Sequence, residues 1–246
     1  MSSPPERLTE TQTQTQTRET EHPVPSPAQP AVVPFITQRK GEEAAADNLI
    51  LVPSRHGRGR YRLFYEDEDP KDRDLRQVLW GRVSFNDVDE HRRPTGEPEW
   101  KLMHPFRQRI TMETLRCQVC TAPAATVLGT VFLAGAHDYE RREPPLLTNQ
   151  PPVCPKHVRT AAALCAHLRN DPVVFLATSA PLYGVLGTLY GLVDGKVDVV
   201  TQPKEPLPYG HPNLPTFLAS QLVRRLSRFR VLTVGQRTRE LAELPT

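Results

Sequence analysis

The sequence predicts an α+β protein in which a disordered N-terminal tail precedes two folded parts. Three observations support this class. The N-terminal residues lack hydrophobic periodicity, short apolar runs alternate with turn residues, and two later stretches carry apolar residues at helical spacing. The predicted boundaries are 1–46 for the tail, 47–170 for a hairpin region with a zinc-binding motif, and 171–246 for a smaller α+β part packed on it.

Composition predicts the tail. Residues Thr11–Thr17 alternate Thr with Gln, and Pro23–Pro34 is rich in proline. Such segments cannot bury enough apolar area to offset the entropy that is lost when they become ordered. We therefore expect residues 1–46 to be disordered, as a solvated tail or as a tether.

Strands open the first folded part. The apolar run Leu49–Val52 and the returning run Tyr61–Tyr65 flank a glycine-containing turn, which predicts a hairpin. Further strands are predicted over Val78–Phe85 and Ala125–Leu133. A helix is predicted over Val158–Leu168, because its apolar residues recur every three or four positions. These residues are Ala161, Leu164, Cys165 and Leu168.

A small antiparallel sheet with one amphipathic helix is predicted for the second part. Its strands are Val173–Ala177, Tyr183–Leu192, Lys196–Thr201 and a closing Val231–Val234. The Asp194-Gly195 pair is a strong hairpin turn between two of them. The helix is predicted over Leu214–Phe229 from apolar residues at helical spacing. Its inner face is predicted to carry Phe217, Leu218, Leu222 and Leu226.

Two short motifs predict a metal site. Each places two ligands across a two-residue gap, so that a tight turn can direct both side chains at one ion. The motifs are Cys117-Gln118-Val119-Cys120 and Cys154-Pro155-Lys156-His157. Pro155 suits the first turn of the following helix, because it lacks an amide hydrogen that would be unpaired there. A turn-borne pair, a hairpin and a helix-borne pair are the order of a treble-clef or zinc-ribbon-like site.

We therefore predict a structural Zn²⁺ ion held by Cys117, Cys120, Cys154 and His157. Three thiolates and one imidazole would fill a tetrahedral shell and leave no position for a reactive water. Cys165 cannot join them, because it lies eight positions beyond His157 on the predicted helix, about 12 Å along its axis. It is predicted to be a buried core thiol. The alternative for the four residues is that they are packing cysteines and a surface histidine.

Bulk properties narrow the class of protein. The net charge of +3 is too small to predict a nucleic-acid partner by itself. We find no run of about 18 apolar residues and no apolar core of a signal peptide near Met1, so a cytoplasmic protein is expected. Because thiols stay reduced in that compartment, the four cysteines are expected to be metal ligands or buried thiols rather than disulfides. The sequence contains no P-loop, dinucleotide fingerprint or nucleophile elbow.

One enzymatic interpretation remains open. In HNH-type nucleases a treble clef carries a catalytic His and Asn, and here His137 and Asn149 fall between the two ligand pairs. Those enzymes usually have Asp before the His and a further His after the last knuckle ligand, where this chain has Val158. Arginine clusters around residues 55–62, 107–109 and 224–230 could contact phosphates, although acidic runs lie between them.

Most of the chain after residue 48 resembles a group of uncharacterised proteins from actinomycete bacteria. The resemblance rests on Val78–Val83, Trp100–Arg109, Cys117–Cys120, Pro151–Cys154 and Leu218–Arg224. Members tend to have Cys where His157 stands, and His can replace it as a zinc ligand. The resemblance implies no activity. The leading prediction is a non-enzymatic, zinc-stabilised binding or adaptor protein whose partner is protein or nucleic acid.

Overall fold

The computed structural model describes residues 32–45, 48–54, 60–135, 145–165 and 172–232, all within one compact unit. The described chain consists mostly of strands with two short α-helices, which is consistent with an α+β or mainly β class. The strands are β1 (Thr37–Arg39), β2 (Leu49–Pro53), β3 (Tyr61–Tyr65), β4 (Leu79–Trp80), β5 (Pro98–Met103), β6 (Ala125–Thr126), β7 (Gly129–Gly135), β8 (Leu146–Thr148), β9 (Pro172–Ser179), β10 (Leu182–Val193), β11 (Lys196–Thr201), β12 (Leu207–Pro208), β13 (Phe217–Leu226) and β14 (Arg228–Leu232). The helices are α1 (Pro105–Glu113) and α2 (Val158–Leu164).

The larger sheet has the order β11-β10-β13-β4, with β12 pairing with β10 and β8 pairing with β13. The predicted strands around the Asp194-Gly195 turn are confirmed as the β10–β11 hairpin, in which Val193 pairs with Lys196. The backbone of the long strand β10 lies very close to that of β13 at Gly187. A Cβ atom there would lie 2.1 Å from the carbonyl oxygen of Leu218, so only glycine allows this approach.

The predicted helix over Leu214–Phe229 is wrong, because most of this segment forms strand β13. The residues that face the core change from odd to even positions along the strand. Phe217 and Ala219 are buried at its start, and Leu222 and Leu226 are buried further on. The register shift between Leu186 and Gly187 of β10 marks a bulge in this pairing, which moves the inward positions by one residue. A strand with such a bulge imitates the apolar spacing of a helix.

A second, four-stranded sheet has the order β14-β9-β7-β6. The predicted single strand over Ala125–Leu133 is instead a hairpin of β6 and β7. Thr126 pairs with Gly129, and Val127 is 83% exposed at the turn. Strand β7 pairs with β9, and β8 pairs with β13. Each of these pairs joins a strand before residue 170 to a strand after it in one sheet.

The two remaining sheets have two strands each. The predicted β2–β3 hairpin is confirmed, with Leu49 opposite Tyr65. The tail prediction is wrong for residues 32–45, because β1 pairs with β5 and Ile36 is buried. The large apolar residues of this segment are clustered in Val32–Ile36 and polar residues follow, so the sequence shows no periodicity there. The rest of the predicted tail lies outside the described residues.

Both helices cover the sheets. Helix α1 packs on β13 and closes a core that includes Trp80, Met112 and Phe217. Helix α2 packs on the second sheet, where Val158 and Ala161 join Val131 and Val174 in another core. The predicted helix over Val158–Leu168 ends earlier, at Leu164, and residues 166–171 lie outside the described part. Neither described helix is long and apolar enough to cross a membrane.

Candidate metal centre

The first pair of predicted ligands lies on a tight turn after α1, and we call residues 117–120 the knuckle. The backbone N–H of Cys117 donates to the carbonyl of Ala122 at 2.8 Å, and that of Thr121 donates to the carbonyl of Cys117 at 2.9 Å. Thr121 adopts a positive φ of 61° to close the turn. These bonds bring the thiols of Cys117 and Cys120 to the same side.

The second pair lies where an extended chain enters helix α2. Cys154 has β dihedrals, and Pro155–His157 form a single 3₁₀ turn immediately before α2. The N–H of His157 donates to the carbonyl of Cys154 at 3.0 Å. The N–H of Val153 donates to the carbonyl of Val131 at 2.9 Å, which connects the chain just before Cys154 to β7.

The four ligand atoms converge, and all lie within 4.8 Å of one another. The Sγ atoms of Cys120 and Cys154 are 3.8 Å apart. Nδ1 of His157 lies 3.2 Å from Sγ of Cys154 and 4.0 Å from Sγ of Cys117. Bonds of about 2.3 Å to sulfur and about 2.0 Å to nitrogen would separate the ligand atoms of a tetrahedral site by roughly 3.5–3.8 Å. The observed separations lie around these values, so the cluster is compatible with a single-ion site.

The pKa values of the Cys117 and Cys154 thiols are shifted in opposite directions. A hydrogen bond from the Cys154 thiol lowers the pKa of Cys117 to about 5, and burial opposes this shift. The same hydrogen bond raises the pKa of Cys154. Cys117 is fully buried, and the N–H of Val119 also donates to its Sγ at 3.4 Å. A divalent cation that binds the cluster would displace the thiol protons.

The backbone of the knuckle is bonded to distant parts of the chain. Phe35 and Ile36 donate their N–H groups to the carbonyls of Val119 and Gln118, both at 3.2 Å. The N–H of Gln118 donates to the carbonyl of Pro152 at 2.9 Å. The site therefore holds the segment that leads into β1, a connection between residues far apart in sequence that local patterns do not indicate.

The other candidate residues lie apart from this cluster. Cys165 is half-buried at the end of α2 and packs beside the core, so the prediction of a buried thiol holds only in part. The amide of Asn149 donates to Oε1 of Gln221 at 2.6 Å. His137 lies outside the described residues. The arginine cluster around residues 224–230 does not lie on one exposed face, because Arg224 is buried whereas Arg225 is exposed.

A cleft of about 70 Å³ adjoins the knuckle. It is formed by the chain around Pro34, by Trp100–Met103 of β5, by Gln118 and by the end of α2. Lys101 is the charged residue among its lining residues. The Oε1 atom of Gln118 accepts from Gln150 at 2.6 Å, while its buried Nε2 group has no hydrogen-bond partner.

No protein family, curated protein or solved structure matches the chain. Three cysteines and one histidine lie close together and form a possible metal site.

Proposed function

We propose that the cluster binds Zn²⁺ in a treble-clef arrangement and that the protein is a non-enzymatic binding or adaptor protein of the cytoplasm. The observation that carries this proposal is the convergence of Cys117, Cys120, Cys154 and His157 within 4.8 Å. Thiolate-rich tetrahedral sites select zinc over the hard cations that prefer oxygen ligands. A knuckle, the β6–β7 hairpin and a pair at the start of α2 follow the treble-clef order.

The proposed ion has a structural role. Four protein ligands complete its coordination, so no position is left for water or substrate. The segments that carry the ligands are bonded to other elements, because the knuckle accepts hydrogen bonds from the chain before β1 and Val153 donates one to β7. Binding free energy at such a site becomes folding free energy, because the unfolded chain does not hold the ligands together.

Chelation tests this role. Removing the metal from the purified full chain should accelerate hydrogen exchange at the amides of Phe35 and Ile36, which donate to the knuckle carbonyls. The amide of Leu222, which bonds to Gln108 at 2.9 Å in the larger sheet, serves as an internal reference and should respond less. Unchanged exchange at Phe35 and Ile36 after complete metal removal would contradict the structural role.

The cleft beside the knuckle favours a protein partner. A volume near 70 Å³ is far below the roughly 300–1,000 Å³ of small-molecule pockets and suits a single apolar side chain. The unpaired Nε2 of Gln118 could donate to a backbone carbonyl of an extended peptide. Lys101 on the rim would favour an acidic neighbour of the inserted residue, and a nucleic-acid surface would need several cations rather than one.

A peptide-display selection on the zinc-loaded protein tests this partner class. Leu102→Glu places a charge at the cleft, and Leu192→Glu is the matched control, since both leucines are 48% exposed. Selected peptides should carry an apolar anchor and bind Leu102→Glu at least about tenfold more weakly, with little change for the control. A selection without binders, together with a salt-sensitive mobility shift on DNA or RNA, would reassign the partner to nucleic acid.

The alternative is an HNH-like metal-dependent nuclease using His137 and Asn149. It has less support, because the Asn149 amide is bonded to Gln221 and its backbone carbonyl accepts from Gln108 at 2.7 Å. Cleavage of DNA with added Mg²⁺ or Mn²⁺ that is lost in His137→Ala would establish the enzyme. Equal cleavage, or no cleavage, by the wild type and His137→Ala would rule out this nuclease activity.

A further inference from the structure

Four ionisable side chains form a buried cluster between the end of β1 and the start of α1. They are Arg39, Glu42, His104 and Arg107, and we call them the buried charge cluster. None of the four is more than 3% exposed. None of them is a ligand of the proposed zinc site.

The charges of this cluster do not balance. Oε2 of Glu42 accepts from Nη2 of Arg107 and, at 2.7 Å, from the backbone N–H of Arg39. Nε2 of His104 lies 3.1 Å from the carbonyl oxygen of Ser84, and burial followed by the charge of Arg107 lowers the pKa of this histidine. One carboxylate thus faces two guanidinium groups, and arginine remains protonated in proteins. The described residues leave one positive charge without a counter-charge.

Hydrogen bonding is incomplete at the same residues. Within the described residues, each guanidinium group donates a hydrogen bond only through its Nη2 atom. Nη2 of Arg39 donates to the carbonyl of Pro34 at 3.5 Å, and Nη2 of Arg107 donates to Glu42. The Nε and Nη1 groups of both arginines are buried without a partner. Oε1 of Glu42 and Nδ1 of His104 also lack one. Buried polar atoms are normally paired with protein or with a bound species, so this concentration points to an occupant.

The start of helix α1 adds to the positive potential. His104 is its N-cap residue and makes no side-chain cap hydrogen bond, and Arg107 lies in the first turn. The first amides of a helix carry partial positive charge and favour anions. The ring of Phe85 stacks on His104 with centroids 4.6 Å apart, so the cluster is screened from solvent on that side.

We propose that the buried charge cluster binds a small inorganic anion, a halide or a compact oxyanion, through the free Nε and Nη1 groups of Arg39 and Arg107. The anion supplies the missing negative charge in a low-dielectric site, where an uncompensated cation is costly. An accompanying water, or the hydroxyl of a protonated oxyanion, donates to Oε1 of Glu42. The ion secures the residues that follow β1 against helix α1.

Crystals of the full chain grown in sodium bromide test the proposal directly. We expect an anomalous peak within hydrogen-bonding distance of the guanidinium groups of Arg39 and Arg107. Retained oxyanion density at the same place would also support it. Ordered waters alone at this position, with bromide confined to the protein surface, would overturn it.

Thermal unfolding gives an independent readout. At constant ionic strength, the midpoint of the wild type should rise with the logarithm of bromide or phosphate concentration as it replaces gluconate. Arg39→Met removes the excess charge and should abolish this rise. Arg230→Met, which removes an exposed charge on β14, should retain it. A rise in Arg39→Met equal to that of the wild type would overturn the proposal.

Discussion

The side chain of Gln108 forms two hydrogen bonds with the backbone of Leu222. Its Nε2 donates to the carbonyl of Leu222 at 2.9 Å, and its Oε1 accepts the Leu222 N–H at 2.9 Å. Along this edge of β13, β4 pairs with Leu218 and Ala219, and β8 pairs with residues 224–226. The side-chain amide of Gln108 lies between β4 and β8 along this edge. It bonds to Leu222 as the backbone of a neighbouring strand would.

Replacing Gln108 by Met should lower the free energy of unfolding by about 3 kcal/mol. The change keeps the approximate shape but removes the bonds to Leu222 and the bond to the carbonyl of Asn149, leaving buried backbone groups unpaired. Urea unfolding followed by tryptophan fluorescence measures the loss. Gln202→Met is the control on an exposed glutamine, and equal stability of the two variants would contradict the assigned role.

Arg224 provides a second link between β13 and α1. Its guanidinium donates to the carbonyls of Met112 at 2.8 Å and Glu113 at 3.2 Å, which lie at the helix C-terminus, and also to that of Ala180. These carbonyls lack partners within the helix, so the arginine acts as a C-terminal cap.

Arg224→Met should therefore destabilise the protein by about 3 kcal/mol, because three carbonyls lose a charged donor. Its neighbour Arg225 is exposed, and Arg225→Met should change stability by less than about 0.5 kcal/mol. The same urea titration measures both variants. Losses of similar size would mean that the two arginines contribute only through net charge.

Stability should fall at alkaline pH through Tyr209. Its hydroxyl donates to Oδ2 of Asp74 at 2.9 Å, and burial, followed by the Asp74 charge, raises the pKa of Tyr209. A group with a raised folded-state pKa stabilises the protein fully below its unfolded pKa, about 10 for tyrosine, and loses this contribution as the pH rises further.

The free energy of unfolding of the wild type should therefore decline between pH 9 and pH 11, roughly the range in which unfolded tyrosine ionises. Tyr209→Phe should be about 1 kcal/mol less stable at pH 8 and should decline less steeply. Urea titrations across this range provide the comparison. Parallel pH profiles for wild type and variant would show that Tyr209 is not responsible.

Local patterns predict only part of this fold. The β2–β3 and β10–β11 hairpins are visible because their turns and alternation lie within short windows. Strand β13 is not, since its apolar residues have the spacing of a helix, and the bulge that places Phe217 and Leu222 on one face of the strand cannot be seen in the sequence. Its pairing with β10 and β8 decides between helix and strand, and those partners are distant in sequence.

The candidate metal site is predictable because its chemistry fixes both residue types and spacing. Cys117 and Cys120 lie across one turn, so their convergence needs only local geometry. The buried charge cluster is the opposite case. Arg39 and Glu42 resemble solvated residues in a polar tail, and only the tertiary contacts of β1 and α1 remove them from water.

Metal analysis of the purified full chain tests the central claim most directly. Inductively coupled plasma mass spectrometry should find a single zinc ion per chain, retained in Cys165→Ser and lost in Cys117→Ser, because Cys165 is not among the four converging ligands. Folded wild-type protein that contains no zinc, or a Cys117→Ser variant that keeps a full equivalent, would contradict it.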